Sequence, residues 1–186
     1  MNLAWLAAMD IVIFRYHPDL LGERLGARRG DKTWDIVLSS IIRLTQLARY
    51  IVAGLDQRYG WTGGFPVRAQ MAALLVCVLG YALFVWAMAS NAFFAQVVRI
   101  QSERDHTVAT GGPYHYVRHP AYCGALLYEL AAPILLASWW ALIVSGLSAV
   151  LLIIRTALED RTLQAELAGY VAYARRVRYR LLPGIW

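Results

Sequence analysis

Charge is what this sequence has least of. Only 16% of its 186 residues are Asp, Glu, Lys or Arg, 59% are hydrophobic, and the mean hydropathy is +0.46. Soluble domains average about 25% charged and about 45–50% apolar residues, so an ordinary soluble domain is excluded. The shortage is concentrated. Residues 69–98 hold no Asp, Glu, Lys or Arg, and residues 119–154 hold one, Glu129. A spanning helix needs about 20 apolar residues, and both stretches exceed that. Evenly spaced short alternating strands are missing, which sets aside a membrane barrel. Cysteine is scarce as well. Cys77 and Cys123 each lie in or beside an apolar segment, with neither a disulfide framework nor a zinc spacing. Nucleic-acid fold signatures are absent. The net charge of +6 therefore reads as loops facing cytoplasm and lipid headgroups, and nucleic acid is not an expected partner. The class that remains is all-α: a polytopic transmembrane helical protein, one integral membrane domain over residues 1–186.

The chain divides into about four to five membrane segments. Residues 2–14, "MNLAWLAAMDIVIF" with its first residue, lack a basic leader and carry Asp10, so they read as a short first span rather than a signal peptide. Residues 36–55 carry Arg43, Gln46 and Arg49 at three-residue intervals. This segment is either a span whose polar groups face protein, or an amphipathic helix in the interface. Residues 69–96 form the clearest span. Residues 121–154 suit two short spans in a hairpin, turned at Pro133 and at "SWW", 138–140, with Trp139 and Trp140 at a membrane boundary. Arginines gather in 15–35, in 97–118 and in the tail from 155. The positive-inside rule puts these three on the cytoplasmic face. In the tail, Leu158, Leu163, Leu167, Tyr170 and Ala174 recur at roughly helical spacing. They predict an amphipathic helix against that face, with Gly169 as its breaking point.

Three stretches on the cytoplasmic side carry polar chemistry: "RDHTVATGGPY" (104–114), "HYVRHPAYCG" (115–124) and "RTALEDR" (155–161). The hairpin brings the start of one arm, Arg118 and His119, to the end of the other, Arg155 and Glu159. The expected result is a polar pocket whose floor lies in the bilayer. Arg155 and Glu159 share a helix face four residues apart. A surface ion pair would explain them in a soluble helix. Here Arg155 follows "LLII" at the edge of hydrocarbon, where a charge is expensive and points to function. His115, His119 and Cys123 have metal-like spacing, yet Pro120 disfavours helix at His119 and no nearby carboxylate completes a site; no metal is expected. Gly111, Gly112 and Pro113 read as a turn rather than a phosphate loop. Glu129 is either a buried proton site or, more simply, the partner of Arg43 or Arg49.

"HTVATGGPYHYVRHPAYCG", followed by a hairpin, "R…ED" and "GYVAYARRVRYRLLP", resembles the isoprenylcysteine carboxyl methyltransferase family, relatives of the membrane phospholipid methyltransferases. The resemblance covers about residues 90–183, which it marks as a methyltransferase-like core. It implies S-adenosylmethionine as the methyl donor, in a pocket closed by the tail without a Rossmann domain. It implies that His106, Thr107, Val108, Ala109, Tyr114, His119, Pro120, Ala121, Tyr122 and Glu159 hold the cofactor, and that Arg155 faces a substrate carboxylate. Glu159-Asp160 stands where the family usually has paired glutamates, Ala168-Gly169 where it often has Phe-Gly, and Arg99 near a glutamine of the eukaryotic members. The expected partners are membrane lipids and a lipid-tailed or lipidated substrate; the sequence does not name an oligomeric state. A carboxylate nucleophile is already ionised at pH 7 and needs no general base. The competing readings are an amine-headgroup N-methyltransferase, which needs such a base, a sterol-type reductase using a nicotinamide, and a non-enzymatic membrane scaffold.

Overall fold

The computed structural model describes residues 31–186, so the expected first span at 2–14 lies outside the described residues. Among the described residues every regular element is helical. The order is α1 (Thr33–Tyr59), α2 (Val67–Ala89), α3 (Pro120–Leu135), α4 (Trp139–Glu166) and α5 (Tyr170–Arg176), with two short 3₁₀ turns, Ser102–Arg104 and Gly112–His115, between α2 and α3. Three helices, α1, α2 and α4, are long and apolar enough to cross a membrane. α1 carries its polar side chains as a span rather than as a detached amphipathic helix, because its polar face meets α4 and its apolar face, Leu44, Leu47 and Ile51, is exposed where lipid would lie.

Helix ends follow local chemistry. α1 has Asp35 in its first turn and Arg58 in its last, both opposing the helix dipole. It stops at Gly60, whose φ of 66° suits glycine and whose amide returns to the Asp56 carbonyl. The span expected over 69–96 is shorter at its end. α2 stops at Ala89, because the Asn91 side chain accepts the Phe93 amide proton at 2.9 Å and turns the chain. Residues 90–96 are uncharged but belong to the site loop. α3 starts with Pro120 at its first position, after His119 in a non-helical conformation. Pro133 lies inside its last turn, and the hairpin bend is Leu136–Ser138. Ser138 then caps α4 by accepting the Ala141 amide proton at 3.0 Å.

The two hairpin arms are unequal, which corrects the expectation of two short spans. α3, with 16 residues, rises only about 24 Å, less than the hydrocarbon thickness of about 30 Å. α4 runs 28 residues and continues through 155–166. The expected separate tail helix is therefore in its first part the end of a span. The chain breaks at Leu167–Gly169, as expected, with Gly169 at φ 81°. Only the seven-residue α5 lies beyond.

α2 and α3 pack backbone to backbone. A Cβ on Gly80 would sit 2.7 Å from the Gly124 carbonyl oxygen, and one on Gly124 would sit 2.3 Å from that of Gly80. Small residues permit such an approach in a membrane, where tight packing replaces the hydrophobic effect. α1 packs along α4. At one end the bundle is pinned by Asp56, which accepts from the Thr62 amide at 2.7 Å and from the Ser138 hydroxyl, with exposed Trp61, Trp139 and Trp140 around it. At the other end lie the start of α1, the 90–119 loop, the end of α4 and α5.

Candidate active site

That second end encloses a cavity of about 670 Å³, within the usual range for small-molecule sites. Of the residues expected to bind cofactor or substrate, His106, Thr107, Val108, Ala109, Tyr114, His119, Ala121, Tyr122, Glu159 and Arg155 are on its wall. Pro120 is not. It is buried at the start of α3, and its contribution is to begin the helix that presents Ala121 and Tyr122.

Two faces of α4 organise the site. Arg155, Glu159 and Leu163 follow one another at four-residue spacing along the cavity. Glu159 accepts the Tyr122 phenolic proton at 2.5 Å. Arg155 has a long-range ion-pair partner, Asp35. Arg155 Nε and Nη2 donate to Asp35 Oδ1 and Oδ2 at 2.6 and 2.9 Å, and Nη2 also donates to the Gln96 carbonyl at 2.8 Å. Its guanidinium carbon lies 5.4 Å from the Tyr122 ring centroid, within cation–π range. Among the described residues no hydrogen bond engages Nη1. Arg155 thus offers one nitrogen to the cavity, not the bidentate fork that an unpaired arginine would present.

Asp160, one residue on, faces away from the cavity and is fully buried. Arg118 clasps both its oxygens, Nε to Oδ1 at 2.8 Å and Nη2 to Oδ2 at 3.0 Å. Arg180 Nε, the Tyr170 hydroxyl and Gln164 Nε2 donate to it at 2.8, 3.0 and 2.8 Å, and His119 Nε2 lies 3.2 Å away. The main chain repeats the clasp. The Arg118 and His119 amides donate to the Tyr179 and Arg180 carbonyls, each at 2.9 Å. Arg118 Nη1 also donates to the Val177 and Arg178 carbonyls at 3.0 and 2.8 Å. The tail is thereby tied across the start of α3, and Leu167, Tyr170 and Tyr173 close the cavity from above. The Tyr173 hydroxyl donates to the Tyr114 carbonyl at 2.8 Å.

The loop wall is polar and aromatic. His106 stacks on Phe93, centroids 4.4 Å apart, and its Nδ1 accepts the Gln101 amide proton at 3.2 Å. Burial, and then the nearby Arg104 and Arg99 charges, push its pKa below the ordinary 6.5. Burial raises the Tyr114 phenol well above its usual range. Burial also pushes Tyr173 up to about 12. These phenols stay neutral at pH 7. His115, His119 and Cys123 do not converge. His115 is exposed, His119 faces Asp160 and Cys123 donates to the Leu181 carbonyl.

Asp35, Gln96, Asn91 and Phe93 line or support the site without having been singled out from the sequence. Asp35 lies 120 residues from Arg155; its one signal was a carboxylate at the head of an oily run, next to no visible partner. Glu129 is settled as one half of an ion pair with Arg49.

The sequence model of the isoprenylcysteine carboxyl methyltransferase family matches residues 72–165. A probable protein-S-isoprenylcysteine O-methyltransferase of Oryza sativa subsp. indica is 24% identical over 141 residues, 72% of this chain and 70% of that one. The protein-S-isoprenylcysteine O-methyltransferase of Schizosaccharomyces pombe is 35% identical over 71 residues, 38% and 30% of the two chains. The solved structure of the eukaryotic intramembrane Ras methyltransferase ICMT superposes with a TM-score of 0.65 at 17% identity. The match covers 98% of this chain and 66% of that one, and shows a shared fold.

Proposed function

The chain belongs to the isoprenylcysteine carboxyl methyltransferase family, is a membrane-embedded methyltransferase, and we propose that it methylates the carboxylate of an isoprenylcysteine-like, lipid-tailed acceptor using S-adenosylmethionine. The observation that carries the proposal is Arg155, a cation held by Asp35 on the wall of a cavity that also presents Glu159. The cavity's donor set suits the cofactor. Glu159 keeps acceptor capacity for an ammonium or ribose hydroxyls, and the neutral rings of Tyr114 and Tyr122 offer π faces to a sulfonium. His106, Thr107, Val108, Ala109, His119 and Ala121 would complete that compartment. When bound, S-adenosylmethionine supplies an activated methyl group.

The protein's own residues then have three tasks. Arg155 Nη1 orients the acceptor carboxylate, which is ionised at neutral pH and needs no base. Asp35 shares the guanidinium charge, so the anion is positioned without being held so tightly that its reactivity is lost. Tyr170 and Tyr173, tied down by the tail, exclude water. The exposed apolar faces of α1, α2 and α4 fit a tail arriving sideways from the bilayer. The arginines of the 97–118 loop and the tail gather at the site end, which supports a cytoplasmic orientation.

The test is S-adenosylmethionine binding to protein purified in nanodiscs, with methylation of N-acetyl-S-farnesyl-L-cysteine measured in parallel. Glu159→Gln should weaken cofactor binding by about tenfold. Arg155→Gln should retain cofactor binding and lose methylation by about a hundredfold. Folded wild-type protein that binds no S-adenosylmethionine would sink the cofactor reading. Binding without methylation of the farnesyl probe would sink the acceptor reading.

A further inference from the structure

The cavity reaches the outside of the bundle between α1 and α2. α1 packs along α4 and α2 along α3, but α1 and α2 do not pack along one another. Arg43, Gln46 and Tyr50 of α1 and Phe84 and Met88 of α2 line the space between them. Arg43 is exposed as well as being on the wall, so it stands at this lateral mouth, beside the exposed Leu44 and Leu47.

The arginines of the wall are Arg43, Arg49, Arg99, Arg118 and Arg155. Arg49 pairs with Glu129, Arg99 with Glu103, Arg118 with Asp160 and Arg155 with Asp35. Arg43 has no carboxylate partner among the described residues. Its one hydrogen bond there runs from Nη2 to Ser40 Oγ at 3.5 Å, long for such a contact. That contact turns the side chain toward the start of α1. Ser40 is five residues from Asp35, about 8 Å of rise, so the Arg43 guanidinium lies about that much deeper than the one Asp35 holds.

A charge within a span is costly and calls for a counter-charge. Resting on the carboxylate reading of Arg155, we propose that Arg43 is a second anion site, which takes a lipid phosphate on the tail side of the acceptor carboxylate. A guanidinium fork matches two phosphate oxygens, and a phosphodiester stays ionised beside hydrocarbon. The order on the protein fits a lipid: carboxylate at Arg155, phosphate at the mouth, tail along Leu44 and Leu47. The phosphate belongs either to the acceptor, joining its carboxylate to its tail, or to a bilayer phospholipid seated beside it.

The experiment measures binding of two probes to protein in maltoside micelles without phospholipid. Both carry a carboxylate, an N-acetyl group and a hexadecyl tail. N-acetyl-S-hexadecyl-L-cysteine joins them by a thioether, N-acetyl-O-(hexadecylphospho)-L-serine by a phosphodiester. Wild-type protein should bind the phosphodiester about tenfold more tightly. Arg43→Gln should erase that difference, and Arg43→Lys should keep part of it, a rescue that a merely structural role would not give. A bilayer source gives another pattern: equal affinities in plain micelles, and a thioether affinity that rises about tenfold on adding phosphatidylglycerol, in wild type but not in Arg43→Gln. Equal affinities with no response to phosphatidylglycerol, as for an arginine that merely reaches the headgroup layer, would overturn the proposal. So would a phosphate response that survives Arg43→Gln. Weaker S-adenosylmethionine binding by Arg43→Gln would also overturn it, by giving the charge to the cofactor's carboxylate. The carboxylate reading is judged separately. Arg155→Gln should weaken both probes by the same factor. If it weakens neither while the phosphate preference persists, that reading fails and the Arg43 site stands. Failure of both probes to bind would refute both.

Discussion

Glu159 and Asp160 are neighbours in the sequence, yet they stand in two different regions of the molecule. Glu159 faces the cavity and has one hydrogen bond among the described residues, from Tyr122. Asp160 faces the tail, is fully buried, and accepts from two arginines, a tyrosine and a glutamine. A helix turns about 100° per residue, so adjacent positions necessarily serve different faces. The comparison separates two kinds of polar group at a membrane site. A saturated carboxylate holds structure together. An undersaturated one at a cavity wall is available to a ligand.

The largest effect expected from breaking that comparison is on the saturated side. Asp160→Ala leaves Arg118 buried with no carboxylate and unties Arg180, and removing one partner of a buried pair costs about 3–5 kcal/mol. The thermal unfolding midpoint of the detergent-solubilised protein should fall sharply, and cofactor binding should fall with it because the tail no longer closes the cavity. Glu159→Gln, by contrast, should leave the midpoint nearly unchanged while weakening the cofactor. Equal midpoints for the two variants would show that the distinction between the faces is mistaken.

Asp35→Asn sharpens the comparison at an intermediate scale. Asn keeps an oxygen for the Val98 amide, which Asp35 holds at 2.8 Å, but removes the charge shared with Arg155. An arginine with a less compensated charge should bind the acceptor carboxylate more tightly and position it less well. KM for N-acetyl-S-farnesyl-L-cysteine should fall, and kcat should fall by about tenfold. A lower unfolding midpoint with both kinetic constants unchanged would make the pair a structural tie alone.

How much of this was legible depended on distance along the chain. The 106–122 stretch and the Glu159 block carry contiguous motifs, so the residues expected there to hold the cofactor could be named before any coordinates, and of those all but Pro120 line the cavity. Pro120 was swept in because it interrupts a run of genuine wall residues. Asp35 was invisible because its partner is far away in sequence and an isolated acid has no local signature. Glu129 was found from the opposite signal: one carboxylate in a long uncharged stretch demands a cation, and α1 offered two. Helix lengths were misread where charge and helix end disagree. The charged residues 155–161 looked like a tail, yet helix continues through them to Glu166. The uncharged residues 90–96 looked like span, yet Asn91 had already turned the chain.

The smallest expected effect concerns His106, on the loop wall where the two regions meet. Its folded pKa lies below 6.5, so the unfolded chain binds more protons between that lowered value and 6.5. Stability from neutral His106 is therefore fully present above pH 6.5 and is lost as pH falls through the window below it. The physical reason is on the page: Nδ1 must stay unprotonated to accept the Gln101 amide proton, and Arg104 and Arg99 oppose a further positive charge while Glu103 favours it. His106→Asn places a non-titrating oxygen in reach of the same amide. Between pH 7 and 5.5 the wild type should lose part of its affinity for S-adenosylmethionine and a little of its unfolding midpoint, and the Asn variant should lose less of both. Parallel pH profiles would show that the acid sensitivity arises elsewhere, and that the His106 loop belongs with the saturated face rather than with the ligand.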